Sequence, residues 1–328
     1  MINKKRLLVP QSMTPAALRL LDARDDIETI GFPHAISGPD LDALLAAHAP
    51  VHGIALGVTP FGESALEAAR DLRVVARIGV GFDAVDVAAL SNRGIPLMVT
   101  DIANSPSVAE AALYMMLALA KRGAELDALV KGDAWHRRLD LVPFDLFGKT
   151  VLVVGFGRIG TRTAARCRAM EMTVLVHDPY CSAAAIEAAG CEAAGDLDAA
   201  VARADFVTLH CPRTAETTDL FDAARLARMK PSAYLVNTAR GGIVDEAALF
   251  AALKNGRLAG AGLDVFAMEP TPADNPLLTL PNVICAPHLA GVTREALDRM
   301  GLQTARNLLS VLDGAPSRVH VVNKEVLA

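Results

Sequence analysis

Three ionisable residues stand at the ends of short apolar runs in the second half of the chain: Arg240 after "YLVNTA", Glu269 in "GLDVFAMEP" and His288 in "NVICAPHLAG". Their types are complementary. A guanidinium can grip a carboxylate through two parallel hydrogen bonds, which a lysine cannot, and Gly241-Gly242 leave room for a ligand beside it. A histidine exchanges protons near neutrality, and a carboxylate beside it favours its protonated form. Reduction of a 2-keto acid asks for these groups: a cation for the carboxylate and carbonyl oxygen, an acid for the forming alkoxide, and a neighbour that keeps the acid charged. Singly, each has a plainer reading. A histidine after proline in a loop is commonly solvated, Arg240 could pair with Asp245, and Glu269 could be a surface acid.

Strand ends are where an α/β fold would gather such residues. From Lys149 the runs "KTVLVVG", "MTVLVHD", "ADFVTLHCP", "AYLVNTARGG", "GAGLDVF" and "NVICAPH" alternate with helical segments. That pattern predicts a parallel sheet, whose carboxyl ends bind ligands. The first hundred residues alternate likewise ("RLLVP", "IETIG", "HGIAL", "RVVARIG", "IPLMVT"), predicting a second such sheet. At 328 residues the chain is longer than one core usually supports. In "NSPSVAEAALYMMLALAKR" the texture changes: Ser105 suits an N-cap, Pro106 a first helical position, and Ser107 with Glu110 an alternative capping box. A long helix is expected over 106–127 and a domain boundary just before it. No low-complexity tract or short-period repeat is visible.

"VLVVGFGRIG" is G-x-G-x-x-G, with Gly155, Gly157 and Gly160 after an apolar strand and opening a helical stretch. The first glycine permits the turn, the second lets backbone approach a pyrophosphate, and the third lets helix and strand pack closely. Asp178 follows the next strand, 18 residues after Gly160, where a ribose-binding carboxylate belongs. It would repel a 2′-phosphate, and no arginine follows closely in "HDPYCSAAA", so NAD is favoured over NADP.

Composition excludes several classes. With 52% apolar and 21% charged residues and a net charge of -5, the chain has no basic balance for nucleic acid. The run "AALYMMLALA" (111–120) is about half a bilayer span, and the basic N-terminus lacks a signal-type apolar core, so a cytoplasmic product is expected. Five cysteines without a C-x-x-C suggest reduced thiols. Cys285 with His288 and His210 with Cys211 raise zinc, but the close paired spacing is missing and no metal is expected.

From about residue 45 to 315 the chain resembles the D-isomer-specific 2-hydroxyacid dehydrogenases. "RIGVGFDAVDVAAL", "NSPSVAEAALYMMLALAKR", "GKTVLVVGFGRIG", "NTARGGIVDEAAL", "GLDVFAMEP" and "PHLAGVTREA" follow in that family's order. The resemblance implies that Arg240 anchors substrate, Glu269 partners the histidine and His288 is the acid/base. It implies that Val80 and Gly81 offer backbone amides to the substrate carboxylate. For the cofactor it implies Gly155, Gly157, Arg158, Ile159, Gly160, Asp178 and Pro179, then His210, Cys211, Pro212 and Thr217, then Thr238, Ala239, Arg240, Asp264, His288 and Gly291. The implied architecture is two Rossmann-like doubly wound parallel-sheet domains with the active-site cleft between them. The substrate domain is discontinuous (1–103 and 290–328), the NAD domain spans 104–289, and closure is expected at hinges near 101–105 and 288–293. The 106–127 helix resembles the family's dimer-forming element, so a homodimer is expected; an internal core helix is the competing reading.

Within the family, hydroxypyruvate or glyoxylate is the favoured substrate. Phosphoglycerate dehydrogenases carry a basic residue for substrate phosphate near "GIALGVTP", where this chain has Gly57. Arg77, or Arg137 and Arg138 from a neighbouring subunit, could still supply charge, so D-3-phosphoglycerate remains an alternative. Phosphite dehydrogenases have lysine where Val80 stands, and formate dehydrogenases have glutamine in place of Glu269. From a different class, an NAD(H)-sensing protein like the C-terminal binding corepressors shares the fold and the Arg–Glu–His set.

Overall fold

The computed structural model describes residues 4–327. They form two units, one of residues 4–104 with 292–327 and one of residues 105–291.

The first unit carries five parallel strands: β1 (Lys5–Pro10), β2 (Ile27–Phe32), β3 (Gly53–Leu56), β4 (Val74–Arg77) and β5 (Leu97–Met98). Their order is β2-β1-β3-β4-β5, which reverses direction between β1 and β3. Side-chain alternation builds a core on each face. Leu8, Ile54, Leu56, Val75 and Leu97 face one layer, and Leu7, Val9, Val74, Ala76 and Met98 the other. The second layer is completed from far along the chain. The helix Arg294–Leu312 brings Ala305 and Leu308 to it, and Leu308 packs so close to Gly53 that a Cβ there would lie 3.2 Å from it. Val321 then bridges Met98 in antiparallel sense. Asn323 accepts from the Leu97 amide (2.8 Å) and donates to the Ile95 carbonyl (2.9 Å), so the tail satisfies the open edge of β5.

The second unit carries β6 (Thr150–Val154), β7 (Thr173–His177), β8 (Glu192–Ala193), β9 (Phe206–Leu209), β10 (Tyr234–Asn237), β11 (Gly260–Leu263) and β12 (Val283–Cys285). Their order, β12-β11-β10-β9-β6-β7-β8, places the reversal between β6 and β9. All pairs are parallel. Buried on both faces, the inner strands β6, β9, β10 and β11 read as largely apolar runs rather than alternating ones. In β6, Val151 and Val153 enter one core cluster and Leu152 and Val154 the other.

The helix expected over 106–127 is two helices. Ser105–Lys121 ends where Arg122 takes a left-handed backbone (φ 50°), and Gly123–Lys131 starts anew after it. Ser105 lies inside the first helix rather than capping it. The first helix buries Ala112, Met115, Met116 and Leu119 against the second sheet, but leaves Tyr114 64% exposed. The fit is close, since a Cβ on Gly262 of β11 would lie 2.9 Å from the Met115 Cβ. Among the described residues, no helix is long and apolar enough to cross a membrane.

Gly262→Val should therefore overpack this layer. The expected cost is about 1–3 kcal/mol, read as a lowered urea midpoint of the second unit with its helix content retained.

Candidate active site

Parallel pairing puts the carboxyl ends of β10, β11 and β12 side by side, and each is followed by one of the three ionisable residues. Beyond β10, Asn237 is 2% exposed and shapes the turn. Its Nδ2 donates to the Arg240 carbonyl (2.9 Å) and its Oδ1 accepts from the Ala239 amide (3.0 Å). The Arg240 guanidinium, half-buried, donates through Nη1 to the Ala239 carbonyl (2.7 Å). Asp245 caps the helix Glu246–Lys254, accepting from the amides of Ala247 and Ala248. Gly241 cannot be another residue, because a Cβ there would lie 1.8 Å from the Phe266 carbonyl oxygen. The arginine turn thus rests directly on the backbone that follows β11.

That backbone carries Glu269. Its Oε1 accepts from the Phe266 amide (2.9 Å) and its Oε2 meets His288 Nδ1 at 2.6 Å. The histidine side chain is 49% exposed and the glutamate 34%, so the pair is open to an incoming ligand. His288 itself has φ 55°, a conformation that costs a non-glycine residue energy and must be held. Asp264, 1% exposed, holds it. Its carbonyl accepts from the His288 amide (2.8 Å), and its carboxylate accepts from the amides of Leu289 (2.8 Å) and Ala290 (2.9 Å). Burial pushes the Asp264 carboxyl above its ordinary range, against the two amides that draw it down.

The dinucleotide motif lies at the reversal between β6 and β9, the crevice in which such sheets bind nucleotides. Gly155 (φ 92°) approaches the next strand's loop so closely that a Cβ would lie 2.7 Å from the Cys211 nitrogen; on Gly160 it would lie 1.9 Å from the Gly155 carbonyl. Around Gly157 there is open space. The helix Gly160–Ala169 starts there, with Arg158 and Ile159 just before it. Asp178 follows β7 directly with both carboxylate oxygens in use, Oδ2 accepting from Phe156 N (2.7 Å) and Oδ1 from Tyr180 N (2.8 Å). Tyr180, beyond Pro179, donates its hydroxyl to Glu216 (2.9 Å).

On the β9 side, burial lowers the His210 imidazole to about 3 and raises the Cys211 thiol to about 11, so both are neutral at physiological pH. His210 Nε2 pairs with Thr208 Oγ1 (3.0 Å), while its Nδ1 and the buried Thr238 Oγ1 have no protein partner. Thr217 ties its loop by donating to the Pro212 carbonyl (2.6 Å). Ala239 is buried and Gly291 half-buried. An open glycine cradle, a helix start, a strand-end carboxylate and orphaned polar atoms suit a dinucleotide. Among the described residues, no three His, Cys, Asp or Glu side chains are placed to hold a metal.

Val80 and Gly81 belong to the first unit, in the turn after β4. The turn's carbonyls are drawn back: Gly79 O accepts from Thr100 N (3.0 Å), and Gly81 O from Arg77 Nε (2.7 Å). Arg77 Nη1 also donates to Leu56 O (3.1 Å). Asn237, Glu246 and Asn275 escaped the sequence reading. An asparagine ending an apolar strand just before a glycine turn was the available signal for the first; the other two meet each other and main-chain amides, which no spacing shows.

The family pattern described as "D-isomer specific 2-hydroxyacid dehydrogenase, NAD binding domain" matches residues 113–290. The chain is 40% identical over 327 residues to the D-3-phosphoglycerate dehydrogenase of Mycobacterium tuberculosis, covering 98% of this chain and 60% of that one. It is 38% identical over 278 residues to the glyoxylate reductase of Korarchaeum cryptofilum, covering 84% of this chain and 83% of the other. Against phosphoglycerate dehydrogenases it spans 47% to 60% of their length. The crystal structure of the TT0316 protein from Thermus thermophilus superposes with a TM-score of 0.88 at 34% identity, covering 97% of this chain and 99% of that one. The chain belongs to the D-isomer specific 2-hydroxyacid dehydrogenase family, and its second unit is that family's NAD binding domain.

Proposed function

We propose that the protein reduces a small 2-keto acid to the D-2-hydroxy acid with NADH, and catalyses the reverse. The 2.6 Å contact of His288 Nδ1 with Glu269 Oε2, at the end of the strand row that also bears Arg240, carries this reading. Bound nicotinamide supplies the hydride. Arg240 grips the substrate carboxylate and carbonyl oxygen. His288 delivers a proton from Nε2 to the alkoxide, while Glu269 holds Nδ1 and stabilises the charged ring. Gly155–Gly160 would hold the cofactor's pyrophosphate and Asp178 its ribose, and the residues around His210–Thr217, Thr238–Arg240, Asp264 and Gly291 would line it.

For the substrate carboxylate we assign the amides of Val80 and Gly81 as a second grip. With Gly79 O turned to Thr100, the Val80 N–H of the same planar peptide points the opposite way, as a donor to the carboxylate must. Glyoxylate or hydroxypyruvate is the proposed substrate: Gly57 offers no cation, and Arg77 is engaged with two carbonyl groups. Identity of 40% to phosphoglycerate dehydrogenase over nearly the whole chain supports 3-phosphohydroxypyruvate as the second reading. NADH oxidation against these three acids decides between them. A preference of kcat/KM for the phosphorylated acid reverses the assignment, and NADH binding without turnover of any 2-keto acid favours a sensor.

We also propose a homodimer in which the stretch bearing Trp135, Leu139, Val142 and Phe147 is covered. These side chains are 63–75% exposed in the single chain, an apolar display that solution would penalise. Sedimentation of a Trp135→Glu variant as a monomer is the expected result.

Arg240→Ala should lose about 2–5 kcal/mol of transition-state binding, read as kcat/KM. His288→Asn and Glu269→Gln should lower kcat roughly 10²–10⁴-fold while NADH still binds. Asp178→Ala should shift the NADPH to NADH preference upward by roughly tenfold, since a carboxylate that repels phosphate is gone; the ratio of the two kcat/KM values measures it.

A further inference from the structure

Glu246 opens the helix Glu246–Lys254, where an acid would ordinarily serve only the helix dipole. Its carboxylate instead leaves the helix. Oε1 accepts from the Ala267 amide at 2.5 Å and Oε2 from Asn275 Nδ2 at 3.0 Å. Asn275 is itself fixed, its Oδ1 accepting from the Leu277 amide at 3.0 Å.

The Ala267 N–H and the Phe266 carbonyl belong to one rigid peptide plane. The carbonyl side of that plane bears on Gly241 and so on the arginine turn. The amide just before it, that of Phe266, is the one that Glu269 Oε1 accepts from. Whatever sets this plane therefore sets the position of Glu269 and limits that of Arg240 together.

We propose that Glu246 is a positioning residue for the Glu269–His288 pair, touching neither but fixing the peptide from which Glu269 is hung. The proposal rests on the reading of that pair as the acid/base. Releasing the Ala267 amide lets the plane rotate, and displacement of reacting groups by about 1 Å can cost a hundredfold in rate.

The test compares wild type, Glu246→Ala, Glu246→Gln and Glu269→Gln in the full chain. Glu246→Ala is expected to lower kcat roughly 10- to 100-fold per NADH-binding site, with KM and NADH Kd within about twofold of wild type. Glu246→Gln keeps an acceptor for Ala267 and should recover most of the loss. In NMR spectra the His288 ring resonances of Glu246→Ala should move toward those of Glu269→Gln, a signature that a merely stabilising residue would not produce. If the alanine variant does not fold, Glu246→Asp, one methylene too short to reach Ala267, gives the same readouts. A kcat per site within about twofold of wild type, or unmoved His288 resonances, overturns the proposal. Should wild type turn over no 2-keto acid, the reaction reading falls by itself, and the resonances alone decide the positioning: displaced they uphold it, undisplaced they remove it.

Discussion

A buried carboxylate governs the candidate site. Asp264 has almost no contact with solvent, and taking a carboxyl out of water is unfavourable unless hydrogen bonds replace hydration. The replacements are the amides of Leu289 and Ala290, and the Asp264 carbonyl accepts from His288. Those bonds force the chain after β12 into a left-handed turn, which presents the imidazole at the edge of the sheet. Without this anchor, neither the histidine backbone conformation nor its 2.6 Å approach to Glu269 has a support.

Two further contacts bind the neighbouring strand ends into one piece. Asn237 closes the arginine turn with its own amide, and Gly241 lies flat on the Phe266 carbonyl. The result is a continuous surface of backbone contacts from β10 through β11 to β12, in which the ionisable side chains are projections from a common base. Parallel pairing contributes the rest, since it alone aligns three carboxyl ends on one edge.

Much of this was legible in the sequence because of how parallel sheets are buried. "TVLVV", "TVLVH" and "YLVN" are continuous apolar runs, the pattern of strands covered on both faces, and each is a strand of the second sheet. The glycine fingerprint was legible because sterics leave only glycine at Gly155 and Gly160. The break at Arg122 was not, since helical periodicity continues through "LALAKRGAELDALV" and only Gly123 hints at an end. Glu246 reads in sequence as an ordinary first-turn acid, because its partners are 21 and 29 residues away and one of them is a main-chain amide.

The helix Arg294–Leu312 and the strand-capping tail also bear on how the molecule is made. Ala305, Leu308 and Val321 complete the core layer that begins with Leu7 and Val9, so one apolar face of the first unit has only the partial cover of Ala17 and Leu21 until residues 294–321 leave the ribosome. The second unit, contiguous from 105 to 291, has all its strands available earlier. During synthesis the first sheet therefore waits with one face only partly covered, while the second can already fold, and the open part of that face is the natural client surface for a chaperone.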